Sequence, residues 1–132
     1  MVLVDSNVII DVLTRDPLWR DWSKTTLDQL RAQDQLAINP IIYAELASTF
    51  HHADELQAAL PESEFVRLAL PYPAAFLAGQ CFLRYRRQGG LKRSPLPDFY
   101  IGAHATVSGL TLVTRDVSRY RTYFPEISLI AP

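Results

Sequence analysis

Five short apolar runs, "VLVD" at 2–5, "LAIN" at 36–39, "VRLAL" at 66–70, "LTLV" at 110–113 and "ISLI" at 127–130, punctuate this chain. Between them lie longer stretches whose apolar residues recur every three to four positions. Runs of four or five residues suit buried strands, and the longer stretches suit helices packed on one face. A strand that reaches the next strand through a helix pairs with it in parallel, by a right-handed crossover that lays helices over both faces of the sheet. The expected fold is therefore α/β, with a central parallel sheet flanked by helices on both faces. At 132 residues and 48% apolar content, residues 1–132 are expected to form a single domain.

The helical stretches can be placed more closely. "NVIIDVLT" follows the first strand, and "PLWRDWSKTTLDQLRAQ" carries Pro17 in its first turn, with Trp19, Trp22 and Leu30 at helical spacing. These tryptophans suit a core or an interface better than a base-stacking platform. "IIYAELASTF", "ADELQAAL", "YPAAFLAGQCFLRYRR" and "PDFYIGAHATVS" follow, the last closed by Gly109. Two segments break the alternation. "HHADELQAALPES" is a helical excursion between the second and third strands, and "RQGGLKRSPLP" is a basic loop without strand character.

No apolar run is long enough to span a bilayer, and the first residues carry no signal-peptide pattern, so no membrane partner is expected. Cys81, the one cysteine, adjoins Phe82 and Leu83 and reads as a buried thiol, which fits a reducing cytoplasm. The net charge of -1 conceals a division. Residues 1–66 hold 4 Lys/Arg against 11 Asp/Glu, and residues 67–132 hold 9 against 3. The basic half centres on "RYRRQGGLKRS", residues 84–94, with Arg115, Arg119 and Arg121 beyond. Such a cluster suits a phosphate backbone, and a solvated helix face has the same composition.

In a parallel sheet, the carboxyl ends of the strands and the amino ends of the following helices share one edge. Asp5 ends strand one, Glu45 lies early in the helix after strand two, Asp98 opens the helix before strand four, and Asp116 follows strand four. Four carboxylates are thus expected on one side. Each aspartate also suits a helix or turn cap. Glu45 does not: Ala44 and Leu46 flank it and Ile41 and Ile42 lie one turn back, so it borders an apolar face. Two like charges about 4 Å apart repel by roughly 4 kcal/mol at an effective dielectric near 20, so such a cluster calls for a cation. All-oxygen ligands without a Cys/His cluster point to Mg²⁺ or Mn²⁺. His51 and His52 adjoin each other, and His104, six residues past Asp98, faces elsewhere and reads as structural or surface. A carboxylate-held metal activates water and stabilises phosphoryl charge, which points to phosphodiester hydrolysis. The chain has no G-x-S-x-G, no P-loop spacing and no G-x-G-x-x-G.

At these residues the chain resembles PIN-domain proteins, specifically the small VapC-type toxins of prokaryotic toxin–antitoxin modules. "VLVDSNVIID" resembles the family's opening strand and Asp-x-Asn turn, "IYAEL" its central glutamate, "PDFYIGAHA" its third acid and "LVTRDVSRY" its closing motif. The resemblance runs nearly end to end, and the order and spacing of the pieces carry it. It implies a catalytic set of Asp5, Glu45, Asp98 and Asp116, with metal held by Asp5, Asp98 and Asp116 directly or through water. Glu45 would help hold the metal or deprotonate the attacking water, and Asn7 and Thr114 would brace the site. Asp116 stands where related toxins often have Asn. The resemblance further implies a Mg²⁺-dependent endoribonuclease leaving a 5′ phosphate and a 3′ hydroxyl, a homodimer, and a cognate antitoxin that blocks the metal site. Arg84, Arg86, Arg87, Lys92, Arg93 and Arg115 are then RNA-binding candidates as a group. Exposed parts of the first two helices are candidate antitoxin contacts, with Trp19 and Trp22 as apolar anchors. Two other readings stand beside this one: a catalytically silent module binding RNA or protein, and a haloacid dehalogenase-type phosphatase. The phosphatase needs Asp-x-Asp, and here the second position is Asn7.

Overall fold

A computed structural model describes all of residues 1–132. The elements are β1 (Val2–Val4), α1 (Ser6–Leu13), α2 (Arg20–Gln33), β2 (Leu36–Ile38), α3 (Pro40–Ala47), α4 (Ala53–Ala59), β3 (Phe65–Arg67), α5 (Tyr72–Arg87), α6 (Pro97–Ser108), β4 (Thr111–Val113), α7 (Ser118–Tyr123) and β5 (Leu129–Ile130). The strands form one sheet in the order β3-β2-β1-β4-β5, and every pairing is parallel. The expected α/β architecture is therefore present. Successive strand residues face opposite sides of a sheet. All three residues of β1 and of β2 are buried, so helices cover both faces.

The strand order decides where a site belongs. From β1 the chain moves outward through β2 to β3, then crosses to the other side of β1 to place β4 and β5. Connections on the two sides diverge at the β1–β4 boundary, and the carboxyl edge there opens the crevice where ligands bind in such sheets. Register puts Val4 beside Val113, so the residues that follow, Asp5 and Thr114, leave the sheet together at that boundary.

Local chemistry starts and stops the helices as the residues lead one to expect. Asn39 caps α3 by accepting from the Ile42 amide at 2.9 Å, with Pro40 in the first turn. Gly109 ends α6 at φ 62°, the left-handed conformation that glycine adopts without cost. His104, buried in α6, stands with Nδ1 3.0 Å from the Asn39 amide nitrogen. Asn39 donates there, so the imidazole is neutral, and burial lowers its pKa. Its role is structural.

Departures from expectation are local. The third strand is Phe65–Arg67 rather than 66–70, and the fifth is only Leu129–Ile130. The excursion at 51–63 contains α4, and residues 88–96 form neither helix nor strand. Helix α7 was not foreseen. It packs on α6 through a close approach in which the Phe124 ring lies where a Gly102 side chain would be. Gly102→Ala is expected to lower stability by about 1–3 kcal/mol, because the added methyl must displace that buried ring. Gly79→Ala, in open space on α5, should instead raise it by about 0.5–1 kcal/mol. Urea melts of the two variants read the contrast.

Candidate active site

Asp5 follows β1 and is the N-cap residue of α1, and its side chain is 3% exposed. Oδ1 accepts from the Ser6 amide at 2.7 Å. Oδ2 accepts from the Thr114 hydroxyl and from the Tyr120 hydroxyl, each at 2.8 Å. The capping reading holds for this residue, and the same carboxylate faces the other acids. Burial pushes its carboxyl up, the Tyr120, Thr114 and Ser6 donors pull it down, and the charge of Asp98 adds to the rise.

Glu45 reaches the same place from α3. Its Oε1 accepts the Ser6 hydroxyl at 2.9 Å, and that hydroxyl oxygen also lies 3.4 Å from Asp5 Oδ1. Burial raises the Glu45 carboxyl, Ser6 opposes, and the charges of Asp5 and Asp98 raise it further. Asp98 enters from the first turn of α6. Leu96 is the N-cap residue there, and no side chain caps that helix, so the capping reading fails for Asp98. Its Oδ1 lies 3.4 Å from the Tyr120 hydroxyl, and its Oδ2 lies 3.7 Å from Arg119 Nε. Burial again leads the upward shift, against Arg119 and Tyr120, with Asp116 adding to it.

Asp116 stands further out. It is exposed, and its Oδ1 accepts from the Ser118 amide at 3.2 Å and hydroxyl at 3.0 Å, which begins α7. Asp116 thus closes the turn before α7 without being its N-cap, which is Val117, and its charge bears on Asp98. Asn7 ties α1 to the turn after β4. Its amide donates to Thr114 Oγ1 at 3.3 Å, and its Oδ1 accepts from the Arg115 amide at 3.1 Å. The Thr114 hydroxyl donates in turn to Asp5, so Asn7 and Thr114 together brace that carboxylate.

Besides Ser6, which sequence reasoning offered only as a helix cap, two residues in contact with the acids were missed. Tyr120, 1% exposed, puts a phenol between Asp5 and Asp98, and burial followed by those two charges raises its pKa well above the ordinary value. Arg119 lies over the Tyr85 and Phe99 rings at 5.5 and 5.6 Å while facing Asp98. Both sit on α7, a helix too short to leave a periodic signal.

The basic candidates divide. Arg115 is spent internally: Nε and Nη2 grip the buried Asp11 at 2.7 and 2.9 Å, and its guanidinium lies 5.5 Å from the Trp19 ring. A bidentate pair of this kind leaves it a clamp rather than a phosphate contact. Arg84 donates to the Thr122 carbonyl at 2.7 Å, and Arg86 to the carbonyls of Gly90 and Lys92 at 3.2 and 2.9 Å, so both hold local structure. Arg87, Lys92 and Arg93 are exposed, and none of them forms an ion pair. Trp19 and Trp22 are half-buried, one beneath Arg115 and the other against the core, so neither is a free anchor.

No three His, Cys, Asp or Glu side chains stand close enough, as placed, to enclose one ion. Hydroxyls hold the acids apart: Ser6 between Asp5 and Glu45, Tyr120 between Asp5 and Asp98. The expected trio of metal ligands is therefore not closed, and Asp116 is its outlying member. The donor set is nevertheless all oxygen and anionic. Mg²⁺ needs only one or two carboxylates and completes its shell with water, so Asp5 and Asp98 fit a hydrated hard cation, and zinc lacks its ligands.

A family model described as PIN domain matches residues 2–125. Among solved structures, VapBC2 from Rickettsia felis bound to a promoter DNA fragment is 21% identical with a TM-score of 0.75, over 100% of this chain and 99% of that one. A toxin–antitoxin complex from Klebsiella pneumoniae is 26% identical with a TM-score of 0.69, over 98% and 96%. Mycobacterium tuberculosis VapC20, described as a sarcin–ricin loop-cleaving toxin, is 14% identical with a TM-score of 0.64, over 97% and 99%. No curated protein matches the chain.

The clustered acids carry a cost that pH can remove. Asp5, Glu45 and Asp98 all bind protons more tightly when folded than at their ordinary values of 3.8, 4.5 and 3.8. The stabilisation that protonation brings is complete below those values and is lost as pH rises through the folded ones. In EDTA at pH 7, Asp98→Asn should therefore melt at a higher temperature than the parent chain. The gap should narrow as pH falls through the raised folded value and close below the ordinary 3.8, where Asp98 is protonated in both states. Scanning fluorimetry across that range checks the sign.

Proposed function

The chain belongs to the PIN domain family, and from that premise we propose that it is a metal-dependent endoribonuclease, the toxin of a type II toxin–antitoxin pair. The observation that carries this reading is the meeting of Asp5, Glu45 and Asp98 at the carboxyl edge of the sheet, each with raised proton affinity. Three anionic groups drawn together in that way favour a divalent cation over a structural role.

Asp5 and Asp98 would hold Mg²⁺ or Mn²⁺, with Asp116 acting through water. The bound ion would activate a water molecule and offset negative charge on the phosphoryl group. Glu45, oriented by Ser6, would accept the proton of the attacking water. In-line attack would form the new O–P bond as the P–O3′ bond breaks, and the departing O3′ would take its proton from solvent, leaving a 5′ phosphate and a 3′ hydroxyl. Arg119 is the cation nearest the acids and would face the substrate phosphate. Arg87, Lys92 and Arg93, on the end of α5 and the loop leading to Asp98, would track the neighbouring backbone.

The likeness to toxin–antitoxin complexes supports a cognate antitoxin as partner. A groove of about 210 Å³ between α1, α2, α4 and β3 offers an apolar floor of Ile9, Leu13, Leu27 and Phe65. With Trp19 and Trp22 engaged, this groove and Leu18, 75% exposed, are the better apolar contacts on the first two helices. A second copy suits α5, where Tyr72, Phe76 and Leu83 lie exposed along one face. Light scattering of the purified chain, alone and with the product of a small neighbouring gene, would test both partners. No helix is long and apolar enough to cross a membrane, and the buried free thiol of Cys81 accords with action in the cytoplasm.

Purified protein is expected to cleave RNA with Mg²⁺ or Mn²⁺, and Asp5→Asn or Asp98→Asn to lower the rate by about 10²-fold or more with the fold intact. Gel analysis of end-labelled RNA reads this, and full activity in EDTA would overturn the proposal. RNA bound but uncut by the parent chain would instead support the silent module. Reversing Arg87, Lys92 and Arg93 together should weaken RNA binding and reduce the slope of log affinity against log salt by about 2, at roughly 0.7 for each phosphate no longer neutralised. Anisotropy titrations with the Asp98→Asn background keep the RNA whole.

A further inference from the structure

Tyr120 is the group in the site whose chemistry is not explained by packing. Its ring is buried, and a phenylalanine would fill the same space. The hydroxyl, however, lies 2.8 Å from Asp5 Oδ2 and 3.4 Å from Asp98 Oδ1. It carries one proton, so the two contacts form a three-centre hydrogen bond, strong toward Asp5 and weak toward Asp98.

The helix that presents this hydroxyl is anchored at several points. The Phe124 ring fills the space above Gly102, Arg84 holds the Thr122 carbonyl at 2.7 Å, and the Tyr123 ring meets Phe99 edge-on at 5.0 Å. Tyr123 also donates to Gln88 at 3.1 Å. Oη of Tyr120 is therefore a fixed point, set by α5 and α6 independently of either acid. Asp98, in contrast, has no hydrogen-bond partner besides Tyr120, and its ion pair with Arg119 is long at 3.7 Å. Without the hydroxyl, Asp5 would keep its Ser6 and Thr114 donors, and Asp98 would be left with only that long ion pair to aim it.

We propose that Tyr120 is a positioning residue whose hydroxyl sets the separation and aim of Asp5 and Asp98, so that the pair presents a preformed gap to a hard divalent cation. This rests on the metal-dependent reading above. The effect belongs to the carboxylates' hydrogen-bond partners, which orient metal ligands and whose loss costs about 10- to 100-fold in metal affinity or activity.

The test is Tyr120→Phe, which keeps the ring and removes one oxygen. Mn²⁺ is titrated into parent and variant without RNA, with free Mn²⁺ read by electron paramagnetic resonance, and both proteins are melted in EDTA. The expected result is saturable Mn²⁺ binding by the parent, about tenfold weaker binding by the variant, and the same far-ultraviolet dichroism. Equal or tighter binding by the variant overturns the inference, and a loss confined to melting temperature assigns Tyr120 to packing. A parent chain with no saturable Mn²⁺ binding removes the metal reading itself, and this inference with it.

Discussion

A buried carboxylate at the end of a central strand is the constraint around which this molecule is arranged. Taking Asp5 out of water costs several kcal/mol unless its oxygens are satisfied, and an unpaired charge in that position would be shed by protonation. The chain supplies an amide from its own helix, a hydroxyl from the turn after β4 and a phenol from α7. These donors come from residues 6, 114 and 120, so the two ends of the sequence are brought together by the needs of one side chain. The order of strands makes this possible, because β1 and β4 are neighbours although more than a hundred residues separate them.

The remaining charges fall into two kinds of work. Arg115 and Asp11 form a bidentate pair, with Ser23 adding a hydrogen bond at 2.7 Å, and this joins α1, α2 and the turn after β4 at a depth where the aspartate is fully covered. Removing Arg115 would strand the buried Asp11 charge, the costly case for such pairs. Arg119, one turn later, is held by aromatic rings and keeps its donors toward the acids. Adjacent stretches of one basic segment thus serve stability in one case and the crevice in the other. Overall charge balance carries no trace of that division.

Much of this was legible in the residues and some was not. β1, α6 and its glycine stop were readable because short apolar runs and a glycine after a periodic stretch each have one common physical cause. Glu45 stood out for the same reason, as an acid on an apolar face. Asp5 and Asp98 were placed on one edge by topology alone. Helix α7 was not readable: six residues give less than two turns, and "SRYRTY" has no side-chain cap and no apolar period. With the helix went Tyr120, which as a letter is an aromatic in a basic run. Arg115 was misassigned because its partner, Asp11, is 104 positions away, and no local pattern reports a contact at that distance. The tryptophans were read as core or interface, and one of them proved to be the floor under that clamp.

Placing the bridging phenol on the penultimate element has a bearing on how the protein is made. Asp5 and Asp98 are both synthesised before residues 119 and 120, so the hydroxyl and guanidinium that meet Asp98 come late. Until then the growing polypeptide carries acids without the parts that hold them in register. A chain interrupted by premature termination, or still emerging from the ribosome, therefore has Asp5 and Asp98 without the phenol that lies between them.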